Sequence, residues 1–162
     1  MTFQIQSILR RPLPLLGSLA LLMSISPVLA QSAHFDGITL SAYPPTSASV
    51  DGRTVGSYAL SNIADSDTNG DLCAGFADTT PDHILTLESD FPSLTVTVDS
   101  GEDTTLLIQG PDDNTVRCGQ DISRRNLDAQ VTDSDWGAGA YRVWVGTHDQ
   151  GQRFNYTLTV TE

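Results

Sequence analysis

The 162-residue chain carries twenty acidic residues against eight basic ones, every one an arginine, for a formal charge of −12. A surface so acidic repels phosphate backbones and anionic lipid, which argues against nucleic acid and membrane as partners. It suits basic partners, divalent cations or plain solubility.

Residues 1–30 read as a secretory leader. Arg10-Arg11 closes a charged head, Leu13–Ile25 is a short apolar run, and Pro27-Val28-Leu29-Ala30 supplies small residues before a predicted cut between Ala30 and Gln31. The run falls short of the ~20 apolar residues of a spanning helix. Pro12 after the arginine pair argues against a twin-arginine signal, and Gln31 offers no thiol for a lipid anchor. Export to the periplasm or the medium is expected, with no membrane insertion after processing. Residues 31–162 then form one domain, long enough for a core. Six arginines remain there against all twenty carboxylates, a formal −14.

From residue 31 onward the pattern is β throughout. Strand-like runs recur between Gly, Pro, Asp and Asn clusters, and helical periodicity is missing. Ile38–Ser41 is a candidate strand, Ala42–Gly52 reads as a Pro/Ser/Thr-rich surface loop, and Val55–Leu60 is a second candidate strand. His83–Leu87 follows, then Leu94, Val96 and Val98 alternating with Thr95 and Thr97. Leu106-Leu107-Ile108 is continuously apolar, as in a strand covered on both faces. Thr115–Cys118 and a short Ala129–Thr132 come next. Tyr141, Val143 and Val145 share one face of a later strand, whose other face carries Trp144. The last strand is the clearest, with Phe154, Tyr156, Leu158 and Val160 on one side and Asn155, Thr157, Thr159 and Thr161 on the other. Asp99-Ser100-Gly101, Gly110–Asn114 and Asp149-Gln150-Gly151 supply turns. About eight or nine short strands at this spacing predict an all-β, antiparallel sandwich of jelly-roll type.

Cys73 and Cys118 are the only cysteines. In an oxidising compartment such a pair forms a disulfide, whereas a redox or metal-binding pair would want C-x-x-C spacing or nearby histidines. Closing that loop stabilises by roughly 4 kcal/mol on the chain-entropy view.

Asp65-Ser66-Asp67-Thr68-Asn69-Gly70-Asp71 places oxygens at alternate positions around a turn glycine, which suits calcium. Asp65, Asp67, Asn69 and Asp71 are the candidate ligands. The EF-hand pattern then fails, because Phe76 stands where its bidentate glutamate belongs. A polar turn explains the same residues. Further acids cluster at Asp99, Glu102 and Asp103, at Asp112 and Asp113, and at Asp133 and Asp135. A glycosidase pair could be drawn from them, yet each cluster lies at a predicted turn. His34, His83 and His148 are the available imidazole bases, and no serine sits in a G-x-S-x-G elbow. His34 lies near the predicted new N-terminus, where order is not expected. Asn155-Tyr156-Thr157 fits a glycosylation sequon within the final strand.

Several phrases together resemble the bacterial pre-peptidase C-terminal domain family. They are Pro81-Asp82-His83-Ile84-Leu85-Thr86-Leu87, Asp103-Thr104-Thr105-Leu106-Leu107-Ile108-Gln109-Gly110-Pro111 and Cys118-Gly119-Gln120-Asp121. Trp136, Gly139, Tyr141, Val143-Trp144-Val145-Gly146 and Phe154–Val160 continue the likeness, which spans Pro81–Glu162. The resemblance implies a small jelly-roll-like sandwich. Such domains follow secreted peptidases, where they are removed or help bind substrate, and some collagen-binding relatives carry calcium. Residues 31–80 hold no peptidase, so the appendage role is not carried over. Nor do the relatives' calcium ligands align here.

The expectation is an exported, non-catalytic module that binds an extracellular or cell-envelope protein or polymer. Trp136 and Trp144, with Tyr141, are candidates for an aromatic contact surface, or else for the core. A calcium-stabilised structural or adhesive module is the alternative, and an unrecognised hydrolase the third reading.

Overall fold

A computed structural model describes residues 32–41 and 47–162. The predicted leader and its predicted cut between Ala30 and Gln31 lie outside them. Eleven strands and one 3-10 turn make up the described chain: β1 (Ile38–Leu40), β2 (Ala48–Arg53), β3 (Tyr58–Ala59), η1 (Leu60–Asn62), β4 (Phe76–Ala77), β5 (His83–Leu87), β6 (Phe91–Asp99), β7 (Thr104–Gln109), β8 (Val116–Ser123), β9 (Asn126–Trp136), β10 (Gly139–Thr147) and β11 (Asn155–Thr161). The all-β expectation holds.

The strands follow one hydrogen-bonded path, β1-β5-β10-β7-β8-β9-β6-β11-β2, folded into two layers. Strand β8 belongs to both. Its first half pairs with β7, from Leu106↔Gly119 to Gln109↔Val116, and its second half pairs with β9, as in Gln120↔Gln130 and Asp121↔Ala129. The path's ends, β1 and β2, come within 8 Å of each other, so the sandwich nearly closes. All other pairs being antiparallel, β1 against β5 is the exception, a parallel edge that the sequence pattern did not predict.

Period-two alternation builds the core. Leu94, Val96 and Val98 of β6, Leu158 and Val160 of β11, and Val143 and Val145 of β10 point between the layers and are fully buried. Each such side chain stabilises by about 1.5–3 kcal/mol. A second, smaller core lies on the outer face of β7 and β10. There Leu107, Val116 and Trp144 meet Leu60 and Cys73, with Ile63 and Ala64 alongside. The segment around η1 therefore roofs the outer face. This explains the continuous apolar run of β7: Leu106 and Ile108 face inward, Leu107 outward.

Several boundaries differ from the expectation. Within the expected loop Ala42–Gly52, residues from Ala48 onward form β2, paired with β11 from Asn155↔Arg53 to Val160↔Ala48, while residues 42–46 lie outside the described chain. Partner strand β11 supplies the pairing that Ser49, Asp51 and Gly52 do not advertise. Gly52 is required by contact, since a Cβ there would stand 2.4 Å from the Tyr156 hydroxyl. Val55–Leu60 shortens to the two residues of β3 before η1 turns the chain. Ala129–Thr132 grows into the eleven-residue β9, whose polar stretches are held by β8 on one side and β6 on the other.

Cys73 and Cys118 form the disulfide, with Cα atoms 5.3 Å apart and a sequence separation of 45. It pins the roof to β8. Replacing both by alanine is expected to lower unfolding free energy by about 4 kcal/mol, on loop length alone, measured by urea titration of the purified protein.

Candidate functional site

The acidic turn comes first. Asp65, Asp67, Asn69 and Asp71 sit in a tight, largely exposed turn closed by the bridge between Ser66 and Leu72. Asp67 Oδ1 accepts the backbone N–H groups of Asn69 at 2.8 Å and Asp71 at 2.9 Å. Its own N–H donates to the Asp71 carbonyl at 2.8 Å. That carboxylate is thus engaged by its own backbone, an Asx turn in which short acids substitute for ladder partners. Thr68 anchors the turn, its hydroxyl donating to the Val116 carbonyl at 2.9 Å. Asp67, Asn69 and Asp71 share a polar cleft of about 160 Å³ with Arg117 and Asp133. A guanidinium there disfavours a divalent cation. No group of three or more His, Cys, Asp or Glu side chains among the described residues is arranged to hold a metal.

Trp136 and Trp144, proposed as an aromatic contact surface, are 0% and 3% exposed. Trp136 belongs to the main core, its ring 5.3 Å from Tyr141 and its indole N–H donating to the Asp133 carbonyl at 3.0 Å. Trp144 fills the second core under the roof. The outward periodicity of Trp144 was legible, but the segment that covers it has no period of its own. In this structure neither indole is available to a partner.

The histidines are committed elsewhere. His34 is ordered, its N–H bonded to the Pro81 carbonyl at 3.0 Å and its Nε2 3.3 Å from Asp78. His83 is completely buried. Its Nδ1 lies 2.7 Å from the Asp36 carbonyl, which can only accept, so Nδ1 carries the proton. Its Nε2 then accepts the Tyr156 hydroxyl proton at 2.9 Å. Burial holds the His83 pKa down, against the opposing pull of Asp36, and pushes that of Tyr156 up, with the Asp82 charge adding to it. His148 lies in the turn after β10, its N–H donating to the Asp103 carbonyl at 3.3 Å. Among the described residues, no serine, threonine or cysteine is hydrogen-bonded to an imidazole.

The acid clusters mostly organise turns. Asp112 accepts the N–H groups of Asn114 and Thr115 and the Thr115 hydroxyl, and the Asn114 bond leads in holding its pKa low. Asp113 pairs with Arg142. Asp135 accepts the Ser134 hydroxyl at 2.9 Å. Asp133 holds Arg117 at 2.6 Å, and that arginine has no counterpart in the sequence reading. It is 6% exposed, lies 4.1 Å over the Trp136 ring, and donates from Nη2 to the carbonyls of Ser134 and Asp135. Its Nε and Nη2 are paired while Nη1 is buried without a partner, so the Asp133 carboxylate and the Trp136 face are what offset the burial of the charge.

The sequence reading also missed the β8–β9 ribbon. Residues 120–127 are exposed without interruption. Ile122 and Leu127, 39% and 40% exposed, flank Arg124 and Arg125 at its tip. The tip is braced from within: Ser123 Oγ accepts the N–H groups of Arg125 at 3.3 Å and Asn126 at 3.1 Å. At its base the Asp128 carboxylate accepts the Ser100 N–H at 2.8 Å and hydroxyl at 2.6 Å. Thr104 accepts the Ala129 N–H at 2.9 Å. The signal in the sequence is Ile-Ser-Arg-Arg-Asn-Leu, a pair of cations between aliphatics in an acidic chain.

No family model matches the chain, and no curated protein matches it. Among solved structures, it is similar to the pre-peptidase C-terminal domain of a collagenase from Bacillus anthracis. That likeness has a TM-score of 0.45 and 13% identity over 77% of this chain and 94% of the other. It is also similar to PliG of Aeromonas hydrophila, a periplasmic inhibitor of g-type lysozyme, with a TM-score of 0.41 and 16% identity over 78% and 97%. At such identities and scores neither assigns a family or an activity.

Two outcomes are expected. Moving from excess EDTA to millimolar calcium leaves the thermal midpoint unchanged, because a ligand raises it only by binding the folded state. The second concerns Asp82, which is fully buried, its Oδ2 accepting the Val145 N–H at 2.8 Å and its Oδ1 without a partner. Burial raises its pKa from 3.8 to about 7. Its contribution is full below 3.8 and is lost as pH rises through about 7, a change of about 4 kcal/mol. The stability of wild type relative to Asp82→Asn should therefore fall between pH 4 and pH 8 in urea titrations. His83 acts oppositely, costing stability below its unfolded 6.5, but it is common to both proteins and cancels from the difference.

Proposed function

We propose that this chain is an exported, non-catalytic β-sandwich that binds an extracellular or cell-envelope protein or polymer through the tip of its β8–β9 ribbon. The observation that carries the reading is the ribbon itself. Two half-exposed aliphatics and two arginines stand together on a pair of strands whose turn and base are both fixed by side-chain hydrogen bonds. A surface ordered before binding loses little entropy on contact. Arginine beside aliphatic side chains is also the composition that dominates interface energetics.

The interior gives contrary support to catalysis. The buried imidazole and carboxylate closest to a reactive constellation, His83 and Asp82, have no exposed surface. The disulfide suits an oxidising compartment, and no described helix is long and apolar enough to cross a membrane.

The test is capture of partners from an envelope extract by immobilised protein, comparing wild type with Ile122→Ser/Leu127→Ser. Both side chains are exposed, so the variant's melting midpoint should stay within a degree or two. Loss of capture with an unchanged midpoint is the expected result. Undiminished capture, or a hydrolase activity abolished by His148→Ala, would overturn the reading.

A further inference from the structure

We propose that the Ile122–Leu127 tip docks into a concave, carboxylate-lined site between apolar walls on another protein, with Arg124 and Arg125 pairing to those carboxylates. This rests on the ribbon being the binding surface, and it names what the ribbon meets.

Charge decides the class of partner. Of the six arginines in residues 31–162, Arg117 and Arg142 are held in ion pairs. Arg53, Arg124, Arg125 and Arg153 have no ion-pair partner among the described residues and all four are exposed, but only Arg124 and Arg125 are consecutive in one turn. Of the ribbon's two carboxylates, Asp128 is buried and spent on the Ser100–Gly101 turn, and Asp121 is exposed lower on β8, opposite Ala129 and three residues from Arg124. Two arginines consecutive in one turn suit planar carboxylates, which a guanidinium can grip bidentately. Ile122 and Leu127 need apolar surface within the same footprint.

Shape decides between a cleft and an open polyanion. Strand β6 ends at Asp99, and the ribbon runs on past the point where Asp128 takes the Ser100 N–H. Three residues from Asp128 to Arg125 project the tip by roughly 10 Å at strand rise. That slightly exceeds the Debye length of ~8 Å at physiological salt. A recessed anionic site therefore meets the arginines while the strongly acidic body stays screened. An extended polyanion or an anionic bilayer would instead lie against the whole end of the sandwich, with Asp99, Glu102, Asp103 and Asp121, and be repelled.

The experiment measures binding of the purified protein to three kinds of probe. The first are an aspartic protease and a retaining glycosidase, whose clefts hold a carboxylate pair. The second is poly-glutamate, and the third is vesicles rich in phosphatidylglycerol. Binding to a cleft probe is expected, displaced by that enzyme's active-site ligand. Arg124→Glu/Arg125→Glu should weaken it roughly a hundredfold, with Arg124→Lys/Arg125→Lys intermediate. Tighter binding to poly-glutamate or vesicles, no binding to either cleft probe, or indifference to the charge reversal would each overturn the proposal. The extract capture separates the two readings. Capture that survives the charge reversal but not Ile122→Ser/Leu127→Ser leaves the ribbon as the binding surface and rejects the carboxylate partner. Capture indifferent to both rejects the ribbon itself.

Discussion

One strand has to serve two sheets, and the four residues that make this possible organise the molecule. Val116 to Gly119 of β8 pair with β7, and each does a different job. Val116 faces the second core. Arg117 turns to the other side and closes the end of the main core against Trp136 and Asp133. Cys118 holds the roof by its disulfide. Gly119 lets the chain pass so close to β9 that a Cβ would lie 2.3 Å from the Gln130 carbonyl. A backbone contact of that kind cannot be relieved by a rotamer change, so only glycine serves at the crossing.

The consequences run outward from that crossing. Because β8 leaves β7 at Gly119 and continues with β9, its distal half has a partner on one side alone. A two-stranded ribbon is marginal by itself, and this one is clamped at its base by Asp128 and Thr104. Its exposure follows from topology rather than from loose packing. The same crossing opens the corner beside Arg117, which the acidic turn fills, tied to Val116 through Thr68.

Legibility in the sequence tracked local periodicity. β5 and β11 alternate cleanly, one face of each being core, and β10, covered on both faces, still shows its Tyr141, Val143 and Val145 alternation; all three lie within a residue or two of their expected bounds. The disulfide followed from there being only two cysteines, without C-x-x-C spacing or nearby histidines. What failed did so where a partner, rather than the residue's own pattern, sets the structure. Strand β2 carries Ser, Asp and Gly and is a strand because β11 offers its edge. Trp144 looked like an exposed indole because its cover is irregular chain. The parallel seat of β1 left no mark in its three residues.

The acidic turn shows why the candidate site was harder to read than the fold. Alternating oxygens around a glycine have the same spacing whether they converge on a cation or bend back to bond the chain. The difference lies in where the carboxylate points, and here Asp67 bonds Asn69 and Asp71, a geometry that local sequence does not encode. Acidity was the loudest feature of the composition and drew attention to cations and basic partners. The unpaired arginines were the quieter signal. In a chain without lysine, Arg117 and Arg142 are neutralised by neighbouring carboxylates, and of the four exposed arginines without an ion-pair partner among the described residues only Arg124 and Arg125 are consecutive, standing together against the prevailing charge. Their position at the end of a braced ribbon, beside the aliphatics Ile122 and Leu127, places them where contact with another molecule, rather than packing within this one, is what could make use of them.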